Sequence, residues 1–387
     1  MLHRFWGLGI AAALALATIF AIATYAEAQS TPPTSAYVYV QIQGPEGAVY
    51  RFNSSSTGQL STIAGSPWKV SGEIVGSTPT KFFTLGKDLI HSYALGSNGS
   101  IGSQLSQMPV FDNAGSGCGG GTNGQDGAVL DHTGKFIYLL LQGGDEECAA
   151  YQSYAINSDG SFTFIGDTEL PGAPLGYSAG LPSIMGNESF AYADFRIAGL
   201  KPSIIGFRRE SSGQLELMQF RETDPTCSGG FYTPQHPDAS PVGNYMAIQL
   251  FRQNSNTPQL GMYTVDSEGN LSTTNTGPEI QWSPFDNPST VFSPSGAFLV
   301  DYAPEVGNTV GGLQAYKTQG AGPIYPYLIS WGEDIEQVAW DNSNHLYDIS
   351  NRFSRLEVST LTPTSYNYGA GSTVTIGSPY KMVVVSK

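Results

Sequence analysis

One histidine in this chain stands where it could move a proton. His236 precedes a predicted strand in the stretch Gln235-His236-Pro237-Asp238, so a carboxylate follows it two residues later. Histidine changes charge near neutral pH, which suits a general acid or base. The alternative is a hydrogen-bonded loop histidine with no catalytic role. His132 is the weaker candidate, because it lies in a turn expected on the opposite face of the fold.

Three arginines are candidates for binding an anion. Arg196, Arg252 and Arg352 each follow an apolar strand pattern, so we expect their guanidinium groups at one common face. A guanidinium holds a carboxylate or phosphate through two parallel hydrogen bonds. Equally, these arginines could pair with surface acids such as Glu333. Together with two acidic residues beside predicted strands, the candidate ligand-binding residues are Arg196, Arg252, Arg352, Asp126 and Asp238.

The three cysteines are predicted to be structural. Cys118, Cys148 and Cys227 follow the N-terminal apolar segment, and one disulfide with one remaining thiol is expected in an oxidising compartment. Cys118 could pair with either of the other two, and the sequence does not choose between them. No histidine stands where it would activate a thiol. The spacing fits neither a zinc site nor an EF-hand, and no Gly-x-Ser-x-Gly or phosphate-binding loop occurs, so we predict no metal and no cofactor.

Charge and composition exclude several classes of function. The chain has 32 acidic and 17 basic residues and a net charge of −15, which argues against binding to nucleic acid or anionic lipid. Glycine (47) and proline (24) are abundant and charged residues make up only 13%. Turns are therefore frequent and amphipathic helices scarce, as in an all-β protein.

A repeated pattern predicts the elements that position these residues. A short aromatic strand, a turn ending in glycine and another apolar strand recur from Tyr50–Leu60 to Ala315–Ala321. The turn glycines Gly58 and Gly320 are 262 residues apart over five intervals, a mean of about 52. Propeller blades have repeats of roughly 40 to 50 residues. Glycine is expected at these turns because the backbone there needs a positive φ.

A second pattern marks the turn after each inner strand. It is seen in Asp131–Tyr138, Ser240–Met246 and Ser293–Leu299. Both patterns together predict an all-β fold: a seven-bladed β-propeller of four-stranded antiparallel blades. Ala36–Val40 and Lys381–Val385 both read as strands, which suits a ring closed by pairing its two ends. The long inserts are predicted to lie in loops on one face, together with all three cysteines, and are Phe111–Gln125, Gln142–Ala149, Leu170–Ser178, Glu222–Gln235 and Phe251–Gln259.

The same residues resemble a known family, the lactonase-like seven-bladed propellers, which include bacterial 6-phosphogluconolactonase and fungal carboxymuconate cyclase. The resemblance covers the chain after residue 28 loosely and rests on Thr57–Trp68, Thr133–Tyr138, Ser293–Gly296 and Ser378–Tyr380. It implies a propeller fold and activity on a sugar-acid lactone. Active members of the family typically place a Pro-His pair just before an inner strand.

The equivalent stretches of this chain depart from that pattern. Gly124–Gly127 and Asn287–Thr290 contain no histidine, and only Gln235–Asp238 retains one. Two functions from different classes therefore remain open. The first is a lactonase-like hydrolase or isomerase with His236 as base. The second is a non-catalytic exported propeller that binds a glycan, peptide or cell-envelope partner.

The N-terminus predicts export. His3 and Arg4 precede an apolar run from Phe5 to Tyr25, and Ala26-Glu27-Ala28 then forms a typical cleavage site. Residues 1–28 are thus predicted to be a signal peptide and residues 29–387 one propeller domain, secreted or periplasmic, monomeric and not inserted in the membrane after cleavage. The alternative is an uncleaved membrane anchor, because the run approaches the ~20 residues that span a bilayer.

Overall fold

The structure is a computed structural model of the chain. The residues that it describes are 33–43, 47–110, 125–142, 149–170, 177–197, 203–221, 232–252, 258–273, 281–282, 288–305, 311–331, 333–362, 364–367 and 372–387. The predicted signal peptide and the cysteines Cys118, Cys148 and Cys227 lie outside these ranges. The described residues contain no helix, and hence no helix that could span a membrane.

The protein is a seven-bladed β-propeller of antiparallel blades. Blade 1 contains β1 (Thr34–Ile42), β2 (Ala48–Ser55), β3 (Leu60–Thr62), β4 (Trp68–Lys69) and β32 (Pro379–Ser386). Blade 2 contains β5 (Glu73–Ser77), β6 (Lys81–Leu85), β7 (Leu89–Leu95) and β8 (Ile101–Pro109). Blade 3 contains β9 (Gln125–Leu130), β10 (Phe136–Gln142), β11 (Ala149–Ile156) and β12 (Phe162–Glu169). Blade 4 contains β13 (Tyr177–Ala179), β14 (Ser183–Ile184), β15 (Phe190–Ile197), β16 (Ser203–Arg209) and β17 (Leu215–Arg221).

The remaining blades follow the same plan. Blade 5 contains β18 (Tyr232–Ala239), β19 (Tyr245–Arg252), β20 (Gln259–Val265), β21 (Leu271–Ser272) and β22 (Gln281–Trp282). Blade 6 contains β23 (Ser289–Phe292), β24 (Phe298–Ala303), β25 (Gly312–Lys317) and β26 (Tyr325–Trp331). Blade 7 contains β27 (Gln337–Trp340), β28 (His345–Ser350), β29 (Arg355–Leu361), β30 (Tyr366–Asn367) and β31 (Thr373–Thr375). In blades 1, 5 and 7 the fourth strand is split into two short strands, and in blade 4 the first one is.

The hydrophobic core lies between the blades. Each pair of neighbouring blades shares one buried cluster, so the seven clusters form a closed ring. Between blades 6 and 7, for example, Val300 and Leu313 of one blade pack against Leu346 of the next. Because successive side chains of a strand point to opposite faces of its blade, each blade packs one set of side chains against each of its two neighbouring blades, and both of its faces are apolar.

The predicted turn glycines have a steric role as well as a conformational one. Gly99 and Gly213 both have positive φ angles, 76° and 95°. A Cβ atom at Gly99 would lie 2.5 Å from the Tyr37 ring of blade 1, and one at Gly213 would overlap the Phe136 ring of blade 3. The turn glycine thus lets an aromatic side chain of the neighbouring blade pack against the backbone.

The turns after the inner strands are capped by their first side chain. Asp131 Oδ1 accepts hydrogen bonds from the amides of Lys135 and Phe136, both at 2.9 Å. Asp341 Oδ1 accepts from the amides of Ser343 and His345 at 2.8 and 3.0 Å in the same way. The second sequence pattern therefore reflects a capped turn, because Asp and Ser side chains satisfy backbone donors locally.

The two ends of the described chain close the ring. β32 pairs with β1 from Ala36↔Ser386 to Ile42↔Pro379, and β32 is the innermost strand of blade 1. The predicted pairing of the two terminal strands is confirmed. Because β32 covers the inner edge of β1, that edge is not left with unpaired backbone groups.

Buried glutamines join neighbouring blades near the axis. Gln41 donates from Nε2 to the carbonyl of Gly72 and accepts from the amide of Ile74, both at 2.8 Å, across the blade 1 to blade 2 boundary. Gln337 makes an equivalent pair of bonds to Met382. Each side chain satisfies backbone groups in or beside a neighbouring inner strand, which fixes the spacing of the strands around the channel.

Candidate functional site

The strands bring one end of every blade to a common face. Inner strands begin and second strands end at this face, which we call the entry face. Each long insert predicted from the sequence connects strand ends here; 143–148, for example, joins β10 to β11, and 222–231 joins β17 to β18. Loops held on a rigid scaffold commonly carry function, so the entry face and the channel below it are the place to look for a site.

The structure places His236 on a bulge of the inner strand β18. Gln235 pairs with Gln249 and Asp238 with Ala247, so two residues of β18 oppose one of β19. His236 has a φ of 47° and is exposed. Its ring centroid lies 6.2 Å from that of Phe251, edge to face. Among the described residues it forms no ion pair with a carboxylate.

Asp238 occupies a very different position from His236. The residue is partly exposed at the innermost strand, but its Oδ2 atom is buried and has no hydrogen-bond partner in the described ranges. Burial raises the pKa of Asp238 to about 8, although a hydrogen bond from the backbone of Phe292 opposes the shift. At neutral pH the carboxyl group is therefore mostly protonated and can donate a hydrogen bond.

Gln249 lies beside Asp238 on the same face of blade 5. Asp238 pairs directly with Ala247, so Gln249 is its diagonal neighbour, roughly 7 Å away between Cβ atoms. Gln249 is fully buried and donates from Nε2 to the carbonyl of Pro288 at 2.8 Å. Its Oε1 has no partner among the described residues. A protonated acid and a free amide oxygen therefore face blade 6 next to the channel.

Tyr302 extends this polar group into blade 6. It pairs with Ser289 of the inner strand β23. Burial raises the pKa of Tyr302 to about 12; hydrogen bonds with Ser289 and with the backbone of Val338 lower it, while the charge of Asp238 raises it. The phenol is thus a neutral donor between the inner strands of blades 6 and 7, close enough to Asp238 to sense its charge. We call Asp238, Gln249, Ser289 and Tyr302 the channel group.

A second group of ionisable residues lies between blades 6 and 7, nearer the entry face. Asp348 of β28 pairs directly with Glu357 of β29. Arg355 contacts Glu357 at 3.1 Å and also forms an ion pair with Glu333. Both carboxyl oxygens of Asp348 are buried and lack a partner in the described chain. Burial, with Glu357 next, raises the pKa of Asp348 well above its ordinary value.

Arg352 is located on the turn that follows β28, at the entry face. Its guanidinium forms an ion pair with Glu305, and its amide donates to Asp334 Oδ2 at 2.8 Å. The neighbouring Phe353 ring is 43% exposed and packs against the guanidinium groups of Arg352 and Arg355. Arg352 is thus paired with an acidic residue at the entry face, and its role in holding a ligand stays a prediction.

The remaining sequence candidates are placed by their strands alone. Arg196 and Arg252 pair with Ser178 and Tyr232 near the ends of second strands, which puts both at the entry face on blades 4 and 5. Asp126 lies at the start of β9 on blade 3. The side chains of these three residues lie outside the described part of the structure. They are therefore not brought together with Asp238 by any described contact.

The opposite face contains ion pairs with a structural function. Arg209 contacts Asp131 at 3.2 Å and Glu188 at 3.0 Å, joining blade 3 to blade 4. His345 contacts Asp341 at 2.8 Å in a fully buried pair. These groups brace capped turns away from the channel. Among the described residues, no three histidine, cysteine or acidic side chains are close enough together to hold a metal ion.

Sequence reasoning missed most of the channel group. Tyr302 and Gln249 occupy the same position of the second strand in neighbouring blades, and Asp301 and Asp348 likewise correspond to each other. An aspartate inside an apolar strand pattern, such as Asp301 or Asp348, is a usable signal of a special site, since burying a charge is costly.

Comparison with known proteins identifies the architecture. No family model matches the chain, and no curated protein matches it in sequence. Among solved structures, a proposed 6-phosphogluconolactonase from Bacteroides uniformis superposes with a TM-score of 0.64 at 12% identity, covering 91% of this chain and 100% of that one. A second, from Bacteroides fragilis, has a TM-score of 0.63 at 13% identity, with 92% and 99% covered. This is the lactonase-like seven-bladed propeller fold.

A third lactonase-like propeller is the periplasmic gluconolactonase of Pseudomonas aeruginosa. Its TM-score is 0.62 at 15% identity, with 90% of this chain and 99% of that chain covered. The resemblance read from the sequence is confirmed at the level of the fold. At these identities a shared lactonase-like fold specifies the scaffold and leaves the chemistry to the site itself.

Proposed function

We propose that this lactonase-like propeller hydrolyses a small carbohydrate lactone, with Asp238 as the general acid and base in the channel. The observation that carries the proposal is the buried, unpartnered Oδ2 of Asp238 on an innermost strand, with a pKa near 8. A catalytic acid works best when its pKa is close to the operating pH. The lactonase-like fold of its structural neighbours supports the same choice of reaction.

The channel group provides what ring opening requires. Water attacks the lactone carbonyl carbon, the bond from that carbon to the ring oxygen breaks, and the ring oxygen takes up a proton. Protonated Asp238 is placed to donate that proton, and its conjugate carboxylate then accepts the proton that the attacking water gives up in the same turnover, which restores the acid. Gln249 Oε1 is positioned to orient the water or a sugar hydroxyl. The neutral Tyr302 phenol is a donor for the developing oxyanion.

We further propose that the protein works outside the cytoplasm. Support comes from the basic, apolar and small-residue segments of residues 1–28, and from the periplasmic gluconolactonase among the structural neighbours. The partner is then a small sugar lactone met in the periplasm or outside the cell, and the working form is a monomer. Size-exclusion chromatography with light scattering of residues 29–387 tests the last point.

The test is lactone hydrolysis by residues 29–387 across a panel of sugar lactones. Asp238→Asn keeps the shape but removes the titratable proton, so we expect kcat/KM to fall about 100-fold or more. In the wild type, kcat/KM should fall as pH rises through about 8, because the acid loses its proton. Asp88→Asn is the matched control, since Asp88 is an exposed acid on the β6–β7 turn.

His236→Ala tests the sequence-based alternative in the same assay. Loss of turnover in His236→Ala with retention in Asp238→Asn would return the catalytic role to the histidine. Retention in both variants would refute a channel-based acid. No turnover of any lactone by the wild type would favour the second candidate, a binding propeller. The observation that favours this second candidate is the exposed position of His236, which forms no ion pair with any residue that the structure describes.

A further inference from the structure

The entry face is strongly acidic near blades 6 and 7. Two guanidinium groups, those of Arg352 and Arg355, lie here among six carboxyl groups. The six belong to Glu305, Glu333, Asp334, Glu336, Asp348 and Glu357. Both guanidiniums are already engaged, Arg352 by Glu305 and Arg355 by Glu333 and Glu357. Within the described chain, this part of the face therefore offers an anion no free guanidinium.

The sequence of the connecting segments adds to this charge. Ten of the segments that join strand ends at the entry face, 44–46, 111–124, 143–148, 171–176, 198–202, 222–231, 253–257, 283–287, 306–310 and 332, contain eight acidic residues. Three of these are consecutive, Asp145–Glu147, and these ten segments contain one basic residue, Lys201. By composition, these ten connecting segments are therefore acidic as well.

Asp348 supplies an independent sign of the local field. It is 1% exposed, its carboxyl oxygens have no partner in the described ranges, and it lies beneath the ion pairs of Arg355. Burial raises the pKa of Asp348 most, and the negative charges of Glu357 and Glu333 raise it as well, against the opposing effect of Arg355. A region that disfavours one more negative charge on Asp348 also disfavours an anionic ligand.

From these observations we infer that the entry face admits an uncharged polyhydroxy lactone, excludes a phosphorylated one, and repels the carboxylate that hydrolysis produces. The inference rests on the proposed lactonase function. Ring opening converts a neutral lactone and water into a hydroxy acid, which at neutral pH releases a proton and becomes an anion. The neutral substrate thus becomes a negatively charged product, and the acidic face repels that product, which speeds its release.

Charge-matched variants make the inference testable. Glu305→Gln/Glu333→Gln removes two negative charges at the entry face and releases one partner of each arginine. Glu210→Gln/Glu268→Gln removes two charges from exposed turns on the opposite face and is the matched control. We expect wild type to prefer D-glucono-1,5-lactone over its 6-phosphate in kcat/KM at low salt. The entry-face variant should lose about tenfold of that preference and the control should lose little.

Ionic strength gives a second readout. The preference for the neutral lactone should diminish, and product inhibition by gluconate should become stronger, between about 20 and 500 mM salt, because the Debye length falls several-fold and the repulsion is screened. Faster turnover of the phosphorylated lactone by the wild type would overturn the inference and leave the lactonase function standing. If Arg252→Ala abolished that faster turnover, the result would instead indicate that the arginines of blades 4 and 5 bind the phosphate.

Binding measurements separate failure of the inference from failure of the proposed function. Calorimetry compares gluconolactam, a neutral mimic that is not hydrolysed, with 6-phosphogluconate. If no lactone is turned over, the proposed function fails. In that case selective binding of the lactam still supports an entry face for neutral ligands, whereas equal or tighter binding of 6-phosphogluconate refutes it.

Discussion

Replacing Asp238 by asparagine is expected to stabilise the folded protein at neutral and alkaline pH. The pKa of Asp238 is raised from 3.8 to about 8 in the folded state, mainly by burial. Between these values the unfolded chain has lost the proton while the folded chain keeps it. Stability therefore falls as pH rises from about 4 to about 8 and then levels off. Asparagine has no such proton, so the variant escapes this loss.

The size of the effect follows from the shift. A shift of about 4 pH units corresponds to about 5–6 kcal/mol at 1.36 kcal/mol per unit, which is an upper limit. Because Asp238 is partly exposed at the channel, solvent screens part of the penalty, and we expect about 2–3 kcal/mol at pH 8. For a chain of this size that is about 5 °C in Tm. At pH 4 the two proteins should differ little.

The assay is thermal and urea unfolding of wild type and Asp238→Asn at intervals from pH 4 to 9. Asp88→Asn serves again as the control for losing one exposed acid. Stability curves of wild type and Asp238→Asn that stay parallel over this range would refute the assignment of a protonated Asp238. A variant that is both more stable at pH 8 and inactive would support a site whose chemistry costs stability.

Three further outcomes are expected from the scaffold. Gly213→Ala should lower the free energy of unfolding by about 2–4 kcal/mol, because the added Cβ overlaps the Phe136 ring. Gly320→Ala should lower it by only about 1 kcal/mol, because no atom lies within 4 Å of the added Cβ, and urea titrations would show whether the two variants differ. Asp341→Asn should lower the free energy of unfolding by about 2 kcal/mol at pH 7. Burial raises the pKa of Asp341, but hydrogen bonds and the charge of its histidine partner lower it overall, so the loss should shrink as pH falls below about 4. Equal losses of stability at pH 3 and pH 7 would contradict this. Removing 379–387 should abolish cooperative unfolding by circular dichroism, and a sharp transition near the wild-type Tm would show that closure is dispensable.

The fold was predictable because each blade leaves a local mark in the sequence. A turn that needs a positive φ and close packing admits glycine, as at Gly99, and a capped turn admits Asp or Ser, as at Asp131. These requirements recur once per blade and are visible without any knowledge of tertiary contacts. The partnership of β1 and β32 was predictable because Ala36–Val40 and Lys381–Val385 both read as strands, and a closed ring pairs its two ends.

The candidate site was less predictable because it depends on register and on neighbouring blades. The sequence places His236 and Asp238 two residues apart, and only the bulge in β18 shows that the first is exposed while the second is buried at Oδ2. Similarly, Asp348 and Glu357 face each other through strand pairing, and the importance of Tyr302 depends on Val338 in the next blade. No spacing rule within one strand contains that information.

The pairing of β1 with β32 has a consequence for how the protein is made. Within the propeller, β1 is synthesised before its inner partner β32, which begins at Pro379, more than 330 residues later. Until then the inner edge of β1 presents unpaired backbone groups, which are templates for aggregation. A contact of such long sequence separation also forms slowly, because its closure entropy must be overcome first. Synthesis of β32 therefore decides when the inner edge of β1 is covered and no longer exposed to aggregation.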